Sequence, residues 1–130
     1  MLKKTVLRRS QDRVVIMDSI TKVTAEDRGA IVLSASHGGA SSGEFALEVP
    51  LKLVLFNDAG VGKNDAGIAA LAMLAARGVA GATISHTTGM IGDAQDMWDH
   101  GVVSHLNPQA AALGLVAGKD VKSQVSALAR

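Results

Sequence analysis

The chain has 130 residues, a length that favours one domain, and 48% of them are hydrophobic against 19% charged. The net charge of +1 excludes a strong electrostatic attraction to nucleic acid or to an anionic membrane. The absence of cysteine excludes disulfides, thiolate zinc sites and cysteine nucleophiles. No apolar run approaches the ~20 residues of a membrane span and no early stretch resembles a signal peptide, so we expect a cytoplasmic protein.

The core is expected to consist of small side chains. The sequence has two Phe, one Trp and no Tyr, whereas Ala and Gly abound. Such a core buries little apolar area, which contributes about 25 cal/mol per Å². Because self-association would bury more apolar surface, we expect a homo-oligomer.

A local excess of basic residues lies near the start of the chain, at Lys3, Lys4, Arg8 and Arg9. A nucleic-acid-binding surface would be expected to have aromatic residues among its basic ones, and none is interleaved here. We therefore predict a solvated edge and no nucleic-acid partner.

In the first half of the chain, short apolar runs separated by glycine and proline predict three strands and two short helical segments. Residues 13–17 and 30–35 are the first two strands, with one helical turn after Thr24 between them. A short helix over residues 41–48 ends before Pro50. The third strand follows, over residues 51–56.

The second half begins with the clearest helix, over residues 65–77. It is apolar nearly all round, which indicates burial, with Asn64 or Asp65 as its cap and Gly78 at its end. Three helices and two strands follow along the chain: strand 80–84, helix 93–100, strand 102–103, helix 109–113 with Asn107 as a cap and Pro108 opening it, and helix 120–128.

Strands and helices therefore alternate along the chain. This order predicts a single layered α/β domain over residues 1–130, with a mainly parallel sheet of about five strands and helices on both faces. Polar residues follow several of these strands directly. Open α/β sheets place ligands at the carboxyl ends of their strands, so these polar residues are candidates for a functional site.

The first candidate stretch follows the second strand. His37 is a candidate general acid or base, or a hydrogen-bond donor to a substrate. The backbone N–H groups of Gly38 and Gly39 are expected to form an oxyanion pocket, and Ser36 to contact the ligand. The nucleophile-elbow pattern fails because Ser34 stands where it requires glycine. The alternative is a loop histidine that caps neighbouring backbone.

The second candidate stretch is the glycine loop after the third strand. The backbone at Gly60 and Gly62, together with Lys63, is expected to bind an oxyanion or a carboxylate. Asn64 after Lys63 excludes the phosphate-binding P-loop, and the glycine spacing also excludes the dinucleotide pattern. The alternative is a tight strand-to-helix turn capped by Asp65.

Asp58 and Asn57 stand at the start of that loop. Asn57 is expected to contact the ligand, and Asp58 to orient a catalytic histidine, either His37 or His86. A serine nucleophile would then have to come from a neighbouring strand, because adjacent Ser and His side chains in one strand point to opposite faces.

The third candidate stretch follows the fourth strand. His86 is the other candidate acid or base, and the Thr87 and Thr88 hydroxyls are expected to orient a polar ligand. The alternative is an ordinary turn, because Ser and Thr hydroxyls often bond their own backbone.

Metal binding would require histidines to converge. A third histidine, His105, could join His37 and His86. Asp96 and His100 also stand four residues apart, but we interpret them as complementing the helix dipole. We predict no bound metal and no cofactor.

These residues predict a small enzyme acting on a small polar carbonyl, carboxylate or amide-like metabolite, by hydrolysis or isomerisation. His37 or His86 would be the acid or base, with Asp58 orienting it. Two alternatives remain: a non-catalytic module that binds a small anion through Lys63, and an oligomeric interaction protein in which Trp98 forms the assembly contacts.

Overall fold

A six-stranded sheet forms the centre of the protein, which a computed structural model describes over all of residues 1–130. The strands are β1 (Lys3–Arg8), β2 (Arg13–Met17), β3 (Ile31–His37), β4 (Leu53–Asn57), β5 (Ala80–Ile84) and β6 (Val103–Leu106). Their order in the sheet is their order in the chain. β2 to β5 are parallel, and β1 and β6 are antiparallel edge strands. The predicted α/β class and mainly parallel sheet are confirmed.

Five α-helices cover the two faces of the sheet: α1 (Ala40–Ala46), α2 (Ala69–Ala76), α3 (Ala94–His100), α4 (Pro108–Ala112) and α5 (Val121–Leu128). α1 and α2 contribute to the core on one face, whereas α3, α4 and α5 contribute to the core on the other. Helices on both faces are therefore confirmed, and so is Asn107 as the cap of α4, since its side chain accepts from the Ala110 N–H. None of the helices has the length and apolar composition that a membrane crossing requires.

Small residues allow α2 to approach the sheet closely. A Cβ on Gly81 in β5 would lie 2.7 Å from a methyl carbon of Leu74, which is fully buried on α2. The four central strands are buried on both faces, as is typical of parallel sheets covered by helices.

The prediction of about five strands omitted β1. Its residues are mostly exposed, so the apolar pattern that marks a buried strand is weak there. The basic residues do lie at an edge, as expected, but one of them is paired: the Lys3 ammonium lies 2.8 Å from the buried carboxylate of Asp27.

The helix expected from residue 65 begins later, at Ala69. Residues Lys63–Ile68 form a 3-10 segment in which Asn64 and Asp65 have left-handed backbones, with φ of 55° and 57°. Neither residue caps α2, which has no side-chain cap. The apolar pattern continued through this segment and concealed the break.

Candidate functional site

The carboxyl ends of β3, β4 and β5 meet at one edge of the sheet. In the strand register His37 pairs with Asn57, and Asn57 pairs with Ile84. Asp58 directly follows Asn57, and His86 comes two residues after Ile84. The sheet therefore brings three predicted catalytic residues, His37, Asp58 and His86, to the same edge.

Asp58 is hydrogen-bonded to His86. The Nδ1 atom of His86 lies 3.2 Å from Asp58 Oδ1, and the His86 backbone N–H donates to the same oxygen at 3.1 Å. The Asp58 side chain is 6% exposed, whereas the His86 side chain is 52% exposed. Because an ionised carboxylate only accepts hydrogen bonds, the neutral ring of His86 carries its proton on Nδ1 and its lone pair on Nε2. This is the tautomer in which His86 can act as a base.

Asp58 is held in its ionised form. Burial opposes ionisation, but hydrogen bonds from the Gly60 N–H and from the His86 N–H and ring outweigh it. The pKa of Asp58 therefore lies below its usual value of 3.8.

His37 has the opposite arrangement of ring nitrogens. The Gly39 N–H donates to His37 Nδ1 at 3.0 Å, and the Ser42 hydroxyl lies 3.5 Å from the same atom. Because Nδ1 accepts a hydrogen bond, the proton of the neutral ring lies on Nε2. His37 therefore offers a hydrogen-bond donor where His86 offers an acceptor.

Each histidine lines its own cavity, and the two cavities adjoin. His86 lines a cavity of about 510 Å³ and His37 lines one of about 470 Å³. Ala59 and Ile91 belong to the walls of both. A ligand that reaches across these two residues would contact both histidines.

The glycine loop uses its own N–H groups internally. The Gly60 N–H donates to Asp58 Oδ1 at 2.9 Å, and the Gly62 N–H donates to the Gly60 carbonyl at 2.8 Å. Lys63 is exposed and lines neither cavity. The geometry therefore does not supply the anion-binding group expected at Gly60, Gly62 and Lys63.

The oxyanion pocket expected at Gly38 and Gly39 is also absent. The Gly38 N–H donates to the Asn57 carbonyl at 2.9 Å, and the Gly39 N–H is taken by His37. A Cβ on Gly38 would lie 2.6 Å from the Gly67 carbonyl oxygen, so glycine at position 38 allows two loops to pack together. Both N–H groups are therefore hydrogen-bonded within the protein, and that of Gly39 holds the His37 ring.

Of the remaining residues that were predicted to contact a ligand, some line a cavity and others hold backbone segments together. Ser36 lines neither cavity, and its hydroxyl accepts from the Ile20 N–H. Asn57 is fully buried and donates to the Gly89 carbonyl, which joins two loops of the site. Thr87 and Thr88 line the His86 cavity, although the Thr88 hydroxyl donates to the Ser85 carbonyl.

His105 does not join the other two histidines. Its Nδ1 atom lies 3.3 Å from the Thr83 hydroxyl, and it lines a separate cavity beside α2. Nowhere in the protein do three or more His, Asp or Glu side chains form a group that could hold a metal ion.

Several residues that line the two cavities were not identified as site residues in the sequence. Among them, Ala59, Met90 and Ile91 are cavity walls, and neither Ala nor an exposed apolar residue carries a chemical signal. Asp96 also lines the His86 cavity, and its Oδ2 accepts from the Met90 N–H at 2.8 Å. Its position in the first turn of a helix suggested only a dipole effect.

Comparisons with known proteins find no relative of this chain. The chain matches no protein-family model, no curated protein and no solved structure. The function is therefore inferred from the residues of the site alone.

Proposed function

We propose that this protein is an enzyme that transfers a proton on a small carbonyl compound, with His86 as the general base. The observation that carries this proposal is the hydrogen bond between His86 Nδ1 and the buried, ionised Asp58 at the wall of a cavity. The carboxylate orients the ring and stabilises the imidazolium that forms when Nε2 takes a proton.

His37 supplies the complementary group. Its Nε2–H is a donor for a carbonyl oxygen that gains negative charge while His86 removes a proton. The two adjoining cavities support this division, because Ala59 and Ile91 line both. A base and a hydrogen-bond donor at one sheet edge are the parts that carbonyl chemistry requires.

A covalent serine mechanism has less support. His86 makes hydrogen bonds only to Asp58, and none joins its ring to a serine or threonine hydroxyl. The proton that His86 takes would then come from water, which gives hydrolysis, or from a carbon next to the carbonyl, which gives isomerisation. Both reactions remain within the proposal.

The anion-binding alternative has less support for a similar reason. The N–H groups of Gly60 and Gly62 are occupied, and Lys63 lines neither cavity. The expected homo-oligomer and cytoplasmic location remain predictions from composition. Light scattering at micromolar concentration tests self-association, and a monomer would contradict it.

Proton transfer is measured on small probe compounds, whatever the natural substrate is. A panel of small ketones in D₂O is followed by proton NMR for exchange next to the carbonyl, and a panel of small esters is followed for hydrolysis. The wild type should accelerate one reaction, His86→Ala should abolish it, and the control His100→Ala should retain it. Equal rates for wild type and His86→Ala on every compound would overturn the proposal.

A further inference from the structure

The two cavities of the proposed site contain no cationic side chain from lysine or arginine. Their walls carry His37, His86 and Asp96 as the only titratable side chains. The chain nevertheless has 13 Lys and Arg residues. A ligand in these cavities therefore has no permanent positive charge to contact.

The cations line cavities elsewhere in the protein. The cavity at the start of β2, at the opposite edge of the sheet, is lined by Arg8, Arg9, Arg13 and Arg28. Another cavity, against α5, is lined by Lys52, Lys119 and Arg130. The absence of cations is thus a property of the histidine edge and not of the whole surface.

Carboxylates, and not cations, lie at the His86 cavity. Asp96 lines it, and Asp58 lies behind the imidazole. At the first turn of α3 the Asp96 N–H donates to Asp93, and the Ala94 N–H donates to Asp18. An anion would lose its hydration here and gain no opposite charge.

Two apolar side chains complete this wall. Met90 is 64% exposed and Ile91 is 48% exposed, and both line the His86 cavity. Exposed apolar side chains at a cavity wall favour a ligand that has an apolar part.

We infer that the site takes an uncharged, partly apolar carbonyl compound and not a carboxylate or a phosphate ester. This inference rests on the proposed function and narrows its substrate class. The uncharged compound replaces the carboxylate that the sequence suggested, because the charged groups beside His86 are carboxylates and neither cavity is lined by Lys or Arg.

The test compares two probes of similar shape and different charge, 4-oxopentanoate and its methyl ester. Turnover is hydrogen exchange next to the ketone in D₂O, a reaction open to both probes, with the rate of His86→Ala subtracted. The ester should have a kcat/KM at least about tenfold higher than the anion, given the cost of placing like charges together. Ile91→Lys, which adds a cation at an exposed wall position, should raise turnover of the anion.

The outcomes separate the two proposals. Equal or better turnover of the anion would overturn the inference about charge and leave the proton-transfer function standing. Turnover of neither probe above the His86→Ala rate, with neither shifting the Ala59 and Ile91 amide resonances, would overturn both. A shift of those resonances by the ester alone would support the charge inference independently of turnover.

Discussion

Gly39 contacts the His37 ring so closely that no side chain fits between them. Its N–H donates to His37 Nδ1 at 3.0 Å, and a Cβ at position 39 would lie 2.7 Å from that same atom. The backbone of Gly39 has a φ of −81°, which alanine adopts without strain. The glycine is therefore required by the ring of His37 and not by its own conformation.

Gly39→Ala should displace the His37 ring with little change in the backbone. The added methyl group collides with Nδ1 and Cε1, so the hydrogen bond that sets the Nε2–H tautomer is lost. The ¹⁵N chemical shifts of the imidazole report the tautomer. As a control, Ser42→Ala removes only the longer 3.5 Å contact and should leave the tautomer unchanged. An unaltered His37 spectrum in Gly39→Ala would contradict this assignment.

Asp58→Asn should weaken His86 as a base without reversing its tautomer. Two backbone N–H groups donate to Asp58 Oδ1, so the amide oxygen keeps that position and still accepts from Nδ1. The neutral amide stabilises the imidazolium less than the carboxylate does, so we expect proton-transfer turnover to fall about 10²-fold, the lower end of the usual contribution of general acid–base catalysis. The turnover rate should fall while the ¹⁵N shifts of His86 keep the Nδ1–H pattern. Full turnover in this variant would remove Asp58 from the mechanism.

Acidification should destabilise the protein through Asp18. A hydrogen bond from the Ala94 N–H outweighs burial, and the pKa of Asp18 lies below its usual value of 3.8. The unfolded chain therefore takes up the proton first as the pH falls, so the stabilisation is complete above pH 3.8 and is lost as the pH falls through the lower folded pKa. Urea unfolding of wild type and Asp18→Asn should show a weaker acid dependence in the variant. Identical pH slopes would contradict this role.

Gly67→Ala should destabilise the protein by about 1–3 kcal/mol through overpacking. A Cβ at this position would overlap the Asp58 carbonyl oxygen, a backbone atom that cannot easily move. Gly92→Ala serves as the control, since Gly92 has a φ of +85° with open space around it, and should cost only about 1 kcal/mol of left-handed strain. Urea unfolding compares the two variants, and a smaller loss in Gly67→Ala would show that the loop adapts.

The sequence by itself determined the layered architecture. The runs that became β2, β3, β4 and β5 are mainly apolar, because strands covered by helices on both faces bury most of their side chains. It also indicated that polar groups would gather at the carboxyl ends of these strands. Both properties follow from local patterns that a single chain displays.

The tertiary structure decided which of those groups act together. Asp58 and His86 are 28 residues apart, so their hydrogen bond depends on the register of two neighbouring strands. Register and loop conformation arise from the packing of the whole domain, as the left-handed φ of 67° at Val61 illustrates. For this reason the sequence could name both histidines only as candidate acids or bases, with His37 first, whereas packing made His86 Nε2 a hydrogen-bond acceptor and His37 Nε2 a donor.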